Sequence, residues 1–327
     1  MKFMHTFKDI ISVDNLLAAW KEFVRGKRKR ADVQEFQLRL MENILALHTD
    51  LCNKTYRHGP YQQFKIADPK PRDIHKATVR DRLLHHAVYR ILYPFFHKRF
   101  ISDSFSCQLG KGTHRALNRF RDFGKRASFA HTQTCFILTC DIRKFFANID
   151  HALLLRIFAR SILDLDILWL LGRIIGSFNS GTAGKGLPLG NLTSQLFVNI
   201  HMNEFDQFVK HQLKARYYVR YADDFVILHQ GRRELERLLL RIEAFLLEQL
   251  KLSLHPDKVF IKTLASGVDF LGWVHFPTHR VLRTATKRRM LARVNERNLS
   301  SYIGLCRHGN AFSLQKRIGE SYRAVRV

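Results

Sequence analysis

Apolar and polar positions alternate in more than one rhythm along this chain. Across residues 14–52 apolar side chains return every three or four positions, which predicts helices, broken by the basic cluster "RGKRKR" at Arg25 to Arg30. The stretch "PYQQFKIADPKPRDI" changes to a period of two and then meets two closely spaced prolines. A short strand entering a turn is expected, and a helix is excluded. Residues 77–100 return to helical spacing until Pro94, and Arg80, Arg82 and Arg90 ride on that helix.

The middle of the chain is punctuated more sharply. "CFILTCDI", Cys135 to Ile142, is a short apolar run that ends at Asp141, as a buried strand would. A helix follows, with Asp150 as its N-cap. "SGTAGKGLPLGNLTSQ" is a glycine-rich loop, and "LFVNIHMNEFDQFVKHQL" is expected to be an amphipathic helix. "YYVRYADDFVILH", Tyr217 to His229, predicts a hairpin turning at Ala222-Asp223-Asp224. Residues 232–252 are strongly periodic and helical, and "VFIKTLASGVDFLGWVHF" predicts a pair of strands. Phe276 to Val327 is helical and basic, with twelve Lys and Arg against Glu296 and Glu320. The order of elements predicts an α+β fold: an antiparallel sheet with helices on one face, not a doubly wound parallel sheet.

Charge narrows the function. In 327 residues, 55 Lys and Arg face 28 Asp and Glu, a net +27. An excess this large points to a polyanion partner, nucleic acid first and an anionic membrane surface second. The five cysteines are irregularly spaced and form no CxxC, which argues against a zinc site or a disulfide frame. Reduced thiols suit a cytoplasmic location. The N-terminal stretch carries Lys8, Asp9 and Asp14 where a signal peptide needs an apolar core, and no segment reads as a transmembrane helix. There is no GxGxxG, and the two "GKG" triplets lack the spacing of a P-loop.

Against that positive background, the carboxylates stand out. An Asp-Asp pair at a turn is, alone, more often structural than catalytic. Asp141 changes the balance, because an Asp at the end of a buried strand is costly unless it is paired or binds a cation. A strand ending in Asp and a hairpin tipped with Asp-Asp can bring three carboxylates to one sheet edge. Hard oxygen ligands of this kind suit Mg²⁺. Two such ions can clamp an in-line phosphoryl displacement.

"RYADDF", with "DIRKFFANIDH" upstream, resembles the central boxes of reverse transcriptases. The order of the boxes, the glycine loop between them and "FLGW" after them are similar too. The resemblance implies a right-hand polymerase: fingers over 1–134, palm over 135–275 with a finger-side helical insertion at about 151–180, and a basic thumb over 276–327. It implies RNA-templated DNA synthesis with two Mg²⁺ ions, for which Mn²⁺ could substitute. Asp141 and Asp223 would hold the metals with the carbonyl of Ile142, and Asp224 would complete the acidic cluster. Lys258, in "LHPDK", would act as general acid toward the leaving pyrophosphate.

The same resemblance assigns the nucleotide site. Phe146 would be the steric gate against a ribose 2′-OH. Lys70 and Arg72, in "DPKPRDI", would hold the triphosphate, with Leu189, Gly190 and Gln195 of the glycine loop beside the nascent pair. Phe270, Leu271, Gly272 and Trp273 would form the primer grip. Arg82, Arg283, Lys287 and Arg288 would face template or nucleic acid. The loop "LPLGNLTSQ" carries Leu189 where many relatives have glutamine and Gln195 where they have proline. It looks like loops of diversity-generating retroelement enzymes, which copy RNA with errors at adenines and work with a small basic accessory protein. Other readings stay open: a group II intron-like, retron or phage-defence reverse transcriptase, an RNA-dependent RNA polymerase, or a non-catalytic RNA-binding protein.

Overall fold

The chain folds by the rhythms just described. The computed structural model describes residues 2–67 and 71–326. In chain order the elements are α1 (Phe7–Ile11), α2 (Val13–Phe23), α3 (Ala31–Leu38), α4 (Leu40–Cys52), β1 (Gln62–Ile66), β2 (Arg72–Lys76), α5 (Val79–His97), α6 (Thr113–Ala127) and β3 (Phe136–Asp141). Next come α7 (Phe145–Asn148), α8 (His151–Ala159), α9 (Leu165–Ile175), α10 (Leu192–Gln207), β4 (Tyr217–Tyr221), β5 (Asp224–His229) and α11 (Arg232–Leu250). The last are β6 (Phe260–Thr263), β7 (Val268–Phe270), β8 (Trp273–His275), β9 (Arg280–Leu282), α12 (Thr284–Arg293), α13 (Glu296–Cys306) and α14 (Phe312–Arg326). Among the described residues no helix is long and apolar enough to cross a membrane.

Two compact units share the chain. The first takes Met1–Ile101, Arg143–Gln207 and Phe245–Ser253; the second takes Ser102–Ile142, Phe208–Ala244 and Leu254–Val327.

In the first unit α5 is the axis. Thr78 caps it by accepting the Asp81 N–H, and its half-buried arginines each pair with an acid of a neighbouring helix. Arg80 pairs with Asp50 of α4, Arg82 with Asp32 of α3 and Arg90 with Glu22 of α2. The expectation that the helix stops before Pro94 is corrected: α5 runs on to His97. Proline removes one N–H from the last turn, and burial of Tyr93 and Phe96 on that turn compensates. The expected amphipathic helix is corrected as well. α10 starts at Leu192 and is buried on most of its circumference, from Thr193 and Ser194 to Phe205 and Asp206. β1 and β2 form an antiparallel hairpin pairing Phe64 with Ile74. Asp150 caps α8 as expected, accepting the Leu153 N–H at 2.8 Å. The Lys251 ammonium lies 2.6 Å from its other oxygen. Burial works against ionisation there, but the Lys251 and Leu153 hydrogen bonds outweigh it and hold the carboxyl below its ordinary range.

In the second unit the sheet order is β4-β5-β3-β6, antiparallel throughout. β3 is covered on both faces, with the consecutive residues Ile137 and Leu138 both wholly buried, which explains its continuous apolar run. Helix α6 packs on β4 and β5 through Phe120 and Phe123, in one core with Ile137, Val219, Val226 and Leu228. The segment expected to be one pair of strands divides instead. β6 joins the first sheet, whereas β7 and β8 form a separate sheet with β9. The basic tail therefore begins with a strand: β9 pairs with β8, Trp273 opposite Leu282, before α12 starts. A strand of three residues has too little periodicity to be recognised.

Candidate active site

Asp141 is the last residue of β3, where the strand leaves the core. The register sets it opposite Asp224 of β5, directly after Cys140 opposite Phe225. β4 and β5 are joined by the two-residue turn Ala222-Asp223, with Tyr221 opposite Asp224. The Ile142 N–H donates to the Asp223 carbonyl at 3.3 Å, so the chain after β3 is stitched to the turn. All three aspartates thus lie at one end of the sheet. Asp223 and Asp224 are half-buried.

Directly opposed like charges destabilise an antiparallel pair, and a cation is already in place. Pro256–Lys258 form a short 3₁₀ turn, and its lysine brings Nζ to 3.0 Å from Asp141 Oδ1. The Asp141 side chain is only 15% exposed and the lysine that meets it 45%, so the carboxylate is largely withdrawn from water while its cation reaches in from the surface. The His255 N–H to Asp141 carbonyl bond (2.8 Å) fixes the same turn to the strand end. Behind Asp141, burial first and Glu243 second push the Cys140 thiol up, which keeps it neutral.

Among the described residues no three His, Cys, Asp or Glu side chains stand as a preformed metal cluster. The donor chemistry nonetheless suits a hard divalent cation. Carboxylate oxygens come from both strands, and the Lys258 ammonium shows where positive charge settles. The Ile142 carbonyl is a fitting addition. Bonds flanking the Ile142–Leu254 bridge run from His255 to Asp141 and from Arg143 to Ser253. In such a pair the bridged residue turns its own N–H and C=O to the opposite side, here the side of Asp223.

The turn is held from beneath by a residue that the sequence does not flag. Arg220 is 1% exposed. Its Nη1 donates to the Ala222 carbonyl and its Nη2 to Ser104 Oγ, each at 3.0 Å. Its backbone N–H donates to the carbonyl of Asp103, a buried carboxylate paired with Arg119 and Lys210. Ala222 has φ +56°, where hairpins usually place glycine. In the sequence Arg220 is marked only by its place inside "YYVRY"; that its neighbours Tyr218 and Val219 are wholly buried appears only in the fold.

The residues assigned to the nucleotide gather in the first unit. Phe145 is buried and Phe146 half-buried, with ring centroids 5.5 Å apart. The Phe146 carbonyl accepts the Leu187 N–H at 2.8 Å, which ties α7 to the glycine loop. That loop is tied in turn to β2: the His75 N–H donates to the Leu189 carbonyl (3.0 Å) and Asn191 Nδ2 to the His75 carbonyl (2.8 Å). Gly190 has φ +104°, and a Cβ there would stand 2.8 Å from the Ile74 side chain. Arg72 is exposed at the start of β2, and Gln195 is half-buried in the first turn of α10. Lys70 lies outside the described residues.

The remaining assignments are held differently. Leu271 and Gly272 form a two-residue turn with φ +51° and +85°, the pattern of a type I′ hairpin. Phe270 and Trp273, which flank it, are core residues, Phe270 stacked on Phe120. Of the four grip residues only the turn tip reaches the surface. Arg82 is engaged inside the helical unit by Asp32 and by the Phe23 ring. Arg283 makes a two-pronged pair with Asp269 at 2.6 and 2.7 Å. Lys287 and Arg288 lie on α12, half-buried and exposed respectively.

Comparison with known proteins agrees with this geometry. Residues 65–275 match the family model described as reverse transcriptase (RNA-dependent DNA polymerase). Protein YkfC of Escherichia coli (strain K12) is 26% identical over 290 residues, 77% of this chain and 74% of that protein. The group II intron-encoded protein LtrA of Lactococcus lactis subsp. cremoris is 24% identical, over 81% of this chain and 54% of its own. The chain thus spans about half the length of that relative. In fold, apo telomerase from Candida tropicalis, truncated from its C-terminal domain, superposes with a TM-score of 0.51 at 11% identity, over 74% of this chain and 60% of that one. The α+β architecture is that of the right-hand polymerases. With more than half its length matched, the chain belongs to the reverse transcriptase (RNA-dependent DNA polymerase) family.

Proposed function

We propose that the chain extends a primer 3′-OH on an RNA template by metal-assisted nucleotidyl transfer, at Asp141, Asp223 and Asp224. The observation that carries this reading is the register opposing Asp141 to Asp224, with Lys258 Nζ 3.0 Å from Asp141. Asp141, Asp223 and the Ile142 carbonyl would hold two Mg²⁺ ions, with Asp224 completing the charge. Bound Mg²⁺ would neutralise the phosphates and favour ionisation of the attacking hydroxyl. Lys258 would protonate the departing pyrophosphate. Phe146 would select against a 2′-OH, and Arg72 would steady the triphosphate. Residues 1–134, 135–275 and 276–327 would serve as fingers, palm and thumb.

The biological setting we propose is a diversity-generating retroelement, with a small basic accessory protein as partner. Leu189 supports it. An apolar side chain beside the nascent pair removes a hydrogen bond, and selectivity rests on leaving wrong partners unpaired. The similarity to LtrA favours a second reading, an accurate group II-like retroelement enzyme. Sequencing of cDNA made on a defined RNA separates the two. Errors concentrated at template adenines are expected, and uniformly low error would overturn the diversity-generating role while leaving the polymerase in place.

A further inference from the structure

At the opposite end of β4 and β5 from the aspartates there is a cleft of about 300 Å³ that the polymerase chemistry does not use. β4 runs five residues from Tyr217 to the turn at Ala222, about 17 Å at strand rise, so the cleft is separate from the metal end. Its walls are apolar: Leu213, Tyr217, Leu228 and Leu238. Its rim is cationic, with Arg126, Lys214 and Arg216, all exposed. None of these three lies within ion-pair distance of a carboxylate among the described residues. The one acid of the lining, Glu234, pairs with Arg237.

Phe129 also lines this cleft, and its presentation is unusual. It is 61% exposed, at the end of α6. Phe129, Ala130 and His131 all have positive φ, +48°, +57° and +72°. Non-glycine residues in this region are strained. Local bonds hold the run: Ser128 Oγ accepts the His131 N–H at 3.0 Å, and the Ala130 N–H donates to the Lys125 carbonyl at 2.8 Å. A bulky apolar ring is thus kept outward by strained backbone beside three cations. Arg216 lies over Tyr217, 5.3 Å from the ring centroid, which adds a second planar surface.

Aromatic faces within a cationic rim are the combination that binds single-stranded nucleic acid, one base per ring with phosphates on the rim. An apolar helix of a partner would need no three-cation rim, and an acidic peptide would need no exposed ring. We infer that this cleft binds a nucleotide of single-stranded RNA, as a tether for the strand away from the catalytic end. The tether is a binding site of its own and does not rest on the metal chemistry.

The test is the affinity of the full chain for a labelled single-stranded RNA of about twelve nucleotides, within the usual site size for such grooves. Phe129→Ala is expected to weaken it about tenfold, the loss of one stacked base. Arg126→Glu with Arg216→Glu is expected to weaken it further and to flatten the salt dependence. Both variants change exposed side chains, and unchanged melting temperatures would show that they fold. Single-nucleotide extension on a short primer–template should stay within twofold of wild type. Unchanged affinity in Phe129→Ala would overturn the inference. So would inorganic polyphosphate or an oligo-glutamate peptide displacing the RNA as effectively as unlabelled RNA does, since neither offers a base. An Asp223→Asn chain should keep the full RNA affinity, which separates failure of this site from failure of the proposed chemistry.

Discussion

Two hairpins of the second unit solve one geometric problem in opposite ways. β4–β5 and β7–β8 each turn in two residues, and each places a non-glycine residue at positive φ: Ala222 at +56° and Leu271 at +51°. The first is braced by polar bonds, with the Arg220 guanidinium holding the Ala222 carbonyl from below. The second is braced by apolar packing, with Phe270 and Trp273 in the core. A turn that presents charge needs donors beneath it to fix where that charge sits. A turn that presents only shape can be wedged by rings. The two should therefore fail differently, the first in rate and the second in stability.

The largest effect expected is at the charged turn. Asp223→Ala with Asp224→Ala should lower primer extension on an RNA template about a thousandfold or more, since several kcal/mol of charge stabilisation are removed. Circular dichroism should remain that of the wild type. Extension within tenfold of wild type would break the comparison at its root. Next is Trp273→Ala in the apolar hairpin, which should cost about 3–5 kcal/mol of folding stability, read as a lower denaturant midpoint. Gly309 marks how closely that ring is packed, because a Cβ there would collide with it.

Arg220→Lys keeps the charge and loses the fork. We expect extension to fall by about 10–100-fold, with the Mg²⁺ midpoint raised and the dNTP KM unchanged. A variant that lost stability but kept its Mg²⁺ midpoint would make the polar brace an ordinary core contact.

A smaller, pH-dependent effect belongs to the apolar hairpin. His275 of β8 packs on Phe120, and burial, with Arg280 and Arg121 adding to it, lowers its pKa to about 3. The folded state therefore keeps it neutral while the unfolded chain takes up a proton near pH 6.5. Its contribution is complete above about pH 6.5 and is lost as pH falls toward 3, by at most about 1.4 kcal/mol per pH unit. His275→Phe should flatten that limb of the stability profile, and an unchanged limb would reassign it. Smallest of all, Ala222→Gly should change stability by less than about 1 kcal/mol, because relief of the positive φ offsets the added chain entropy. The extension rate should fall all the same.

Much of this is legible in the residues. "CFILTCDI" and "YYVRYADDFVILH" carry both the strand pairing and the aspartates, because a buried strand seldom ends in a charge unless something of opposite sign meets it there. Lys258 is legible through "LHPDK". Three kinds of feature are not. Arg220 escapes notice, since an arginine on an alternating strand resembles a surface residue until its neighbours are known to be buried. The division of "VFIKTLASGVDFLGWVHF" between two sheets depends on long-range pairing that local periodicity does not encode. The Arg82–Asp32 pair joins positions fifty apart in sequence, and no spacing rule reaches it.

The glycine loop has a consequence for how such a protein changes over generations. Its path is set by main-chain bonds and by Asn191, which together join it to His75 and Phe146. The Leu189 side chain is not among those ties. Selection can therefore exchange the residue at 189 without redrawing the loop, so the side chain there and the loop's architecture are inherited as separable traits.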